Sequence, residues 1–220
     1  MTLDPHTGGI PAGAFGEWLE RFRASLLGNA GSSVPCGDCR GCCISGYSVQ
    51  IRPQDEGARA LIPKELLVRA AGFARDELTM ASRPDGTCPM LRDSECTIYP
   101  SRPQTCRDYD CRVFAAAGLA AGGQDKMVIN RRVSEWIFSY PAESDRVAHA
   151  AVKAAAAFIA AKRSQFPGQR APTGATGIAV LACEAYRVFL QSDIHERSDE
   201  EVARLILAAS REFHQKQQHE

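Results

Sequence analysis

The cysteines of this chain are concentrated in one segment, and that concentration constrains what the chain can fold into. Four of the nine cysteines lie within residues 36–43, in the pattern Cys-x-x-Cys-x-x-Cys-Cys, and the ninth, Cys183, is remote. The eight clustered residues are Cys36, Cys39, Cys42, Cys43, Cys88, Cys96, Cys106 and Cys111. We predict that these eight side chains bind metal and that Cys183 does not.

The N-terminus and the apolar runs predict a cytoplasmic protein. Residues 1–10 lack the basic start and the apolar stretch of a secretory signal. The apolar run at 154–161 is far shorter than the roughly 20 residues that a membrane span needs. Because the cytosol keeps thiols reduced, clustered cysteines there more often bind metal or do redox work. Metal is therefore the leading interpretation, and disulfides or a thiol switch are the alternatives.

The charge balance argues against nucleic acid as a partner. Lys and Arg number 26, and so do Asp and Glu, which gives a formal net charge of zero. No basic stripe provides the local field that binding to phosphates requires. We therefore expect metal ions as partners, no membrane and no nucleic acid, with room for a protein partner or substrate that the sequence does not identify.

Thiolate chemistry limits how eight cysteines can be used. Thiolates bind Zn(II) tetrahedrally at about 2.3 Å or hold iron–sulfur clusters, and Cys-x-x-Cys suits both because two sulfurs reach one ion from a tight turn. Adjacent side chains diverge, so we expect Cys42 and Cys43 to serve two metals, or one of them to lie beside the ligands. Eight thiolates then divide into two closed four-coordinate sites or two cubane clusters, whose default role is structural.

Five arginines lie within about four residues of a cysteine, and their role can be interpreted in two ways. Eight thiolates and two divalent ions would leave about four negative charges in a segment whose other charges cancel. Arginine side chains could donate to sulfur and reduce that charge, or they could be an ordinary solvated surface. These residues are Arg40, Arg92, Arg102, Arg107 and Arg112.

The cysteine segment is predicted to contain only short elements. A helix is expected from Pro63 to Gly72, and residues 88–91 and 96–99 are expected to form a hairpin that brings Cys88 and Cys96 together. Cys106 and Cys111 are five residues apart, about 140° on a helix, so they can share one metal only if the chain unwinds between them.

The rest of the chain reads as helical. An apolar stripe from Phe15 to Leu26 predicts an N-terminal helix, and later helices are expected at 144–163, at 178–191 and after the capping box Ser198-Asp199-Glu200-Glu201. Residues 1–12 are expected to be a loose arm, and 127–140 could be helix or strand.

The predicted fold class is mainly α, with an irregular metal-stabilised cysteine-cluster module, including a small hairpin, packed against C-terminal helices. We expect that module and the N-terminal helix to occupy residues 13–115, with a core motif at 34–112. Residues 116–220 would form the C-terminal helical part, in one compact unit with the first.

The combined cysteine motif resembles the CxxCxxCC zinc- or iron-chelating domain family, the YkgJ-like cysteine-cluster proteins. The resemblance rests on Cys36-x-x-Cys39-x-x-Cys42-Cys43, on Cys88-Pro89 and on Cys-Thr-Ile-Tyr-x-x-Arg-Pro-x-x-Cys-Arg-x-Tyr from residue 96. It implies that these cysteines chelate zinc or iron, an iron–sulfur cluster included. Some members are labelled Fe–S oxidoreductases by inference, and the domain is similar to part of flagellin lysine methylase.

Three classes of function follow. The first is a metal-binding protein with zinc or iron at two centres, which the closed eight-thiolate count favours. The second is an iron–sulfur redox protein, although the fourth Cys-Pro of a bacterial ferredoxin run is missing. The third is a protein- or peptide-modifying enzyme related to flagellin lysine methylase. No nucleotide loop or nucleophile elbow supports a particular reaction, so we assign no catalytic residue.

Overall fold

A computed structural model describes residues 9–28, 31–32, 34–69 and 78–215. In this part of the chain the fold is mainly helical with three small sheets, which confirms the predicted fold class. The helices are α1 Phe15–Leu26, α2 Gly41–Ile44, α3 Glu56–Leu61, α4 Gln104–Asp108, α5 Arg112–Ala117, α6 Met127–Glu135, α7 Glu143–Ala161, α8 Ala175–Ala185 and α9 Asp199–Gln215. The strands are β1 Ile10–Ala14, β2 Val49–Ile51, β3 Leu67–Arg69, β4 Leu78–Met80, β5 Leu91–Arg92, β6 Glu95–Cys96 and β7 Trp136–Ser139.

The long helices pack around one large apolar core. The predicted stripe on α1 is confirmed, because Phe15, Trp18, Leu19 and Phe22 are all buried. Helices α5, α7, α8 and α9 contribute the other walls of this core, which also holds side chains of α6 and β7. The alanine side chains of α7 are small enough to let its neighbours approach closely. None of the helices in the described ranges is both long and apolar enough to cross a bilayer.

The start of α9 has the predicted cap. The Ser198 hydroxyl accepts a hydrogen bond from the Glu201 amide at 3.3 Å, and the Glu201 carboxylate accepts one from the Ser198 amide at 2.9 Å. Two amides at the helix start are satisfied in this way, as in a capping box.

The N-terminal segment forms a strand that pairs with a strand within residues 127–140. Strand β1 pairs in parallel with β7, with Ile10 opposite Trp136. The expectation of a loose arm is therefore wrong for residues 10–12, while residues 1–8 lie outside the described part. Residues 127–140 contain both alternatives, helix α6 followed directly by strand β7, whose Trp136 and Phe138 side chains point into the large core.

A second, smaller core lies beside the cysteines. Ile51 is fully buried there, together with Ala58, Ile62, Met80, Met90 and Ile98. Strands β2, β4 and β3 form an antiparallel sheet over it. The helix expected from Pro63 is wrong over 64–69, which form a 3₁₀ turn and strand β3, because pairing with β4 overrides the local preference. The rest of that predicted helix, 70–72, lies outside the described residues.

A hairpin forms as predicted, but its strands are shorter than expected and lie nearer the turn, because Arg92 and Glu95, expected in the connection, pair with each other. Leu91 pairs with Cys96 and Arg92 with Glu95. The two turn residues, Asp93 and Ser94, both have positive φ, 47° and 63°, as the tight turns favoured in hairpins require.

Candidate metal centre

The structure brings all eight clustered cysteines to the wall of one cavity of about 860 Å³. All nine cysteines of the chain are free thiols. The ninth, Cys183, is fully buried in the large core on α8 and does not line this cavity. The cavity is therefore where the thiol chemistry of the chain is concentrated.

The first four cysteines occupy a tight loop followed by the single turn of α2. The Cys39 amide donates to the Cys36 carbonyl at 3.0 Å, and Gly37 between them has φ 56°, a conformation that costs other residues energy. The Gly41 amide donates to Cys39 Sγ at 3.4 Å. On α2, the sulfurs of Cys42 and Cys43 lie 4.0 Å apart.

The next two cysteines are held by the hairpin and by a link to α2. The Cys88 amide donates to the Cys43 carbonyl at 2.7 Å, which ties the two segments together. Burial raises the pKa values of Cys88 and Cys96, and amide hydrogen bonds to their sulfurs, from Met90 and Ile98 respectively, act in the opposite direction. An amide two residues after a cysteine and aimed at its sulfur is a donor that stabilises a thiolate.

The last two cysteines lie on either side of a break between helices. Helix α4 ends at Asp108, the backbone is extended at Tyr109, and α5 begins at Arg112. The chain unwinds between Cys106 and Cys111, as one shared metal would require, but the break also lets the two sulfurs face different surroundings. Cys111 belongs to the large core, and its sulfur accepts a hydrogen bond from Trp136 Nε1 at 3.3 Å.

A buried ion pair anchors this break. The Asp110 carboxylate accepts from Arg112 Nη2 at 2.7 Å and from Trp18 Nε1 at 3.0 Å. Arg112, one of the five arginines considered as sulfur donors, therefore binds a carboxylate here. This pair attaches the backbone next to Cys111 to helix α1.

Burial raises the pKa values of several of these thiols, so they ionise less readily than exposed thiols. It raises the pKa of Cys106 to about 12 and that of Cys111 to about 12. The adjacent pair behaves differently: a hydrogen bond between the sulfurs lowers the pKa of Cys43 to about 7 and raises that of Cys42. Thiolates in such surroundings need a compensating cation, and a bound metal ion deprotonates a thiol outright.

Two residues that sequence reasoning missed contact the thiols. Burial tends to lower the pKa of Arg132, but a hydrogen bond with Cys39 and the charge of that thiol outweigh it, so the pKa is raised. The guanidinium of Arg132 also lies 5.9 Å from the Trp136 ring centre. No sequence signal could have singled out these two residues, because they follow the cysteine motif by more than 20 positions and resemble ordinary helix and strand residues.

The nearby arginines that were considered have mixed roles. Arg40 lowers the pKa of Cys43 through its charge, after the larger effect of the hydrogen bond from Cys42. Its side chain donates to the carbonyls of Gly37 and Cys39, each at 3.1 Å. Arg102 stacks on the Tyr99 ring at 4.1 Å, and Arg107 donates to the Arg102 carbonyl.

The donor set fits zinc or iron. Soft thiolate sulfurs are the ligands that zinc and iron–sulfur clusters take, and amide and indole N–H groups already point at several of these sulfurs. Among the described residues, no three Cys, His, Asp or Glu side chains stand in closed coordinating geometry. The eight sulfurs thus surround one cavity without converging on a point.

Comparison with known proteins finds a family model that matches this segment. Residues 35–130 match the family model CxxCxxCC, putative zinc- or iron-chelating domain. A search of curated proteins found no match. A search of solved structures also found no match. The matched range contains all eight cavity cysteines and ends within α6, before Arg132 and Trp136. The family match therefore covers residues 35–130, which are 96 of the 220 residues of the chain.

Proposed function

We propose that this protein chelates zinc or iron at two centres through the thiolates of the eight cavity cysteines. The observation that carries the proposal is that eight of the nine cysteines, contributed by three separate segments, line one cavity, while the ninth lies elsewhere. The match of residues 35–130 to a zinc- or iron-chelating domain supports metal binding in general. The division into two centres rests on the capacity of eight thiolates, because a zinc ion or a cubane cluster takes four.

The surroundings of the thiols support this proposal. Burial raises the pKa values of Cys36, Cys88, Cys96, Cys106 and Cys111, so their charged forms are costly without a cation. When bound, the metal supplies that positive charge and crosslinks the loop at 36–43, the hairpin and the break before α5. The N–H groups of Gly41 and Trp136 would hold the sulfurs of Cys39 and Cys111 in place.

The identity of the bound metal distinguishes a structural role from a redox role. Colourless protein with two zinc ions per chain would support a closed structural site, and brown protein with acid-labile sulfide would support an iron–sulfur protein. Purification with and without oxygen, followed by metal and sulfide analysis, distinguishes these outcomes. Cys183→Ala is the matched control, because it removes a cysteine that does not line the cavity and should not change the metal content. Protein that holds neither metal after anaerobic preparation and reconstitution would contradict the proposal.

One observation favours the iron–sulfur candidate. The cavity of about 860 Å³ is larger than two bare ions need and falls in the roughly 300–1,000 Å³ range of sites for small molecules. Cubane clusters would fill more of this space than zinc ions would. A cavity of this size also has room for a substrate. A protein- or peptide-modifying enzyme is therefore the alternative function, with no catalytic residue assigned.

A further inference from the structure

We infer that the hydroxyls of Tyr47 and Tyr109 are hydrogen-bond donors to metal-bound sulfur in the cavity. Both are positioning residues, because they act on the metal through its sulfur ligands. Their role rests on the proposed function and adds two side chains to the eight cysteines of the site.

The negative charge of bound thiolates has to be stabilised by neighbouring donors. Eight thiolates and two divalent ions leave about four negative charges. Several of the nearby arginines are engaged with oxygen atoms: Arg102 and Arg107 donate to backbone carbonyls, and Arg112 donates to the Asp110 carboxylate. Neutral O–H and N–H groups in the cavity wall are a second source of donors.

One neutral aromatic donor is already bonded to a sulfur. Trp136 Nε1 donates to Cys111 Sγ at 3.3 Å, and both side chains are buried. Such a donor stabilises a thiolate without bringing a second ion into the core. A phenol O–H on the same cavity wall can act in the same way.

Tyr47 and Tyr109 lie where two cysteine segments meet. Tyr47 follows the first segment, 36–43, and Tyr109 lies within the third, 106–111. Their rings contact each other, with centres 4.9 Å apart and planes at 58°. Both residues line the cavity that also holds the eight cysteines. The two phenols therefore belong to the wall that a bound metal would face.

The two hydroxyls are buried without a partner. Both oxygen atoms are closed to solvent, and neither has a hydrogen-bond partner among the described residues. Even if one phenol donated to the other, the second proton would still lack an acceptor there, since each phenol carries one proton. A buried donor that stays unpaired destabilises a fold, so we expect an acceptor in the complete site.

A thiolate sulfur is the acceptor that fits this position. A thiol sulfur is a weak acceptor, whereas a thiolate accepts a charge-assisted hydrogen bond. Metal binding converts thiols into thiolates, so it supplies acceptors in the same wall. A substrate in the cavity would reach these hydroxyls only after the wall rearranged, because both oxygen atoms are closed to solvent.

Packing fixes the ring of Tyr47. Lys126 Nζ lies 4.6 Å from the ring centre and donates to the Ser45 carbonyl. Gly46 has φ 64°, a conformation that favours glycine and turns the chain directly after α2. Tyr47 and Tyr109 both pack against the large core. The hydroxyls are therefore held in place by contacts of the rings.

Zinc affinity of the full chain tests the role of the two oxygen atoms. Tyr→Phe changes remove the oxygen and keep the ring. In competition with a chelator, we expect Tyr47→Phe/Tyr109→Phe to bind zinc about 10–100-fold more weakly than wild type, the usual effect of losing partners of metal ligands. The matched control is Tyr186→Phe, which should keep wild-type affinity. Its hydroxyl accepts from Arg187 Nε at 3.4 Å, and the residue does not line the cavity.

Loading with cobalt(II) separates hydrogen bonding from packing. A hydrogen bond lowers the energy of the sulfur electrons, so its loss should move the sulfur-to-cobalt charge-transfer band to longer wavelength. The intensity of the band reports the number of bound thiolates and should not change. Each single variant, Tyr47→Phe or Tyr109→Phe, should move the band less and in the same direction, and these variants provide the test if the double variant does not fold.

The possible failures are distinguishable. Wild-type zinc affinity in the double variant, or an unchanged band position in the double and single variants, would overturn the role of the hydroxyls as donors to sulfur. A wild-type chain that binds neither zinc nor iron and shows no charge-transfer band with cobalt(II) would instead overturn the proposed function.

Discussion

Two regions of the molecule are stabilised in different ways. The helical region, residues 112–215, contains α7, α8 and α9 with 19, 11 and 17 residues, and these helices bury continuous apolar faces. The cysteine region, residues 34–111, has helices of four to six residues and strands of two or three in its described parts, 34–69 and 78–111. Isolated helices that short are not stable in water. The first region therefore rests on the large apolar core, whereas the second has only the small core, to which the proposed metal centres would add crosslinks.

Metal removal should produce the largest difference between the regions. Binding free energies of structural zinc are about 10–16 kcal/mol, and in a small module this free energy is folding free energy. After chelation, we expect hydrogen exchange to lose protection in β2 and in the β5–β6 hairpin and to keep it in α7, α8 and α9. Mass spectrometry of the exchanged peptides measures the protection of the cysteine region and of the helices in one experiment. Equal protection with and without metal would contradict the contrast between the regions.

Matched isoleucine substitutions should separate the two cores. Ile51 and Ile159 are both fully buried, the first in the small core and the second in the large core. Each Ile→Ala change is expected to lower the free energy of unfolding of its own region by about 2–5 kcal/mol. Ile51→Ala should also reduce metal retention against a chelator, whereas Ile159→Ala should lower the melting temperature of the helices at unchanged metal content. Identical effects of the two variants on metal retention would argue for a single cooperative unit.

The helical region should have its own dependence on pH. Burial, and then the charge of Lys153, lower the pKa of His149 from 6.5 to about 4. His149 is neutral in the fold, so its contribution is present above pH 6.5 and is lost as the pH falls toward 4. The loss amounts to roughly 3 kcal/mol at about 1.4 kcal/mol per unit.

Urea unfolding at pH 7 and pH 4.5, followed by helical circular dichroism, measures this effect. His149→Gln keeps a side chain that can hydrogen-bond to the Tyr140 hydroxyl, which lies 2.6 Å from Nδ1 of His149. We expect a smaller pH dependence in this variant than in wild type. Metal release at low pH affects both proteins alike, so the difference between them belongs to His149. An equal loss of stability in both proteins would show that His149 is not the group responsible.

The smallest expected effect concerns the cap of α9. Ser198→Ala removes the hydroxyl that accepts from the Glu201 amide and should lower stability by about 1 kcal/mol. Ser134→Ala on α6 is the matched control, because that hydroxyl is exposed and donates only to the Arg131 carbonyl among its described contacts. Thermal unfolding should show a lower midpoint for the first variant than for the second. A midpoint for Ser198→Ala as high as that of the control would mean that the cap contributes little.

Features that depend on residues close together in the chain could be predicted from the sequence. The stripe on α1, the alanine-rich α7 and the Ser198 cap all depend on residues within a few positions of one another, and the structure confirms them. The pairing of β1 with β7 joins Ile10 and Trp136, which are 126 positions apart in the chain. No local sequence pattern predicts this pairing.

The same distinction applies to the candidate site. The positions of the cysteines in the sequence single out the eight candidates, because eight of the nine lie within residues 36–111. The roles of Arg132 and Trp136 depend on α6 folding back over the first cysteine loop, which spacing cannot reveal. The division of the eight residues into ligand sets, and the domain boundary at residue 115, stay predictions.

X-ray absorption at the edge of the bound metal tests the central claim most directly, because it reports the donor atoms themselves. If the eight cysteines supply all ligands, the spectrum of the full chain should show four sulfur atoms at about 2.3 Å around each metal and no nitrogen or oxygen ligand. The Cys183→Ala control should give the same spectrum. A ligand shell dominated by nitrogen or oxygen would contradict the account of an all-thiolate, two-centre protein.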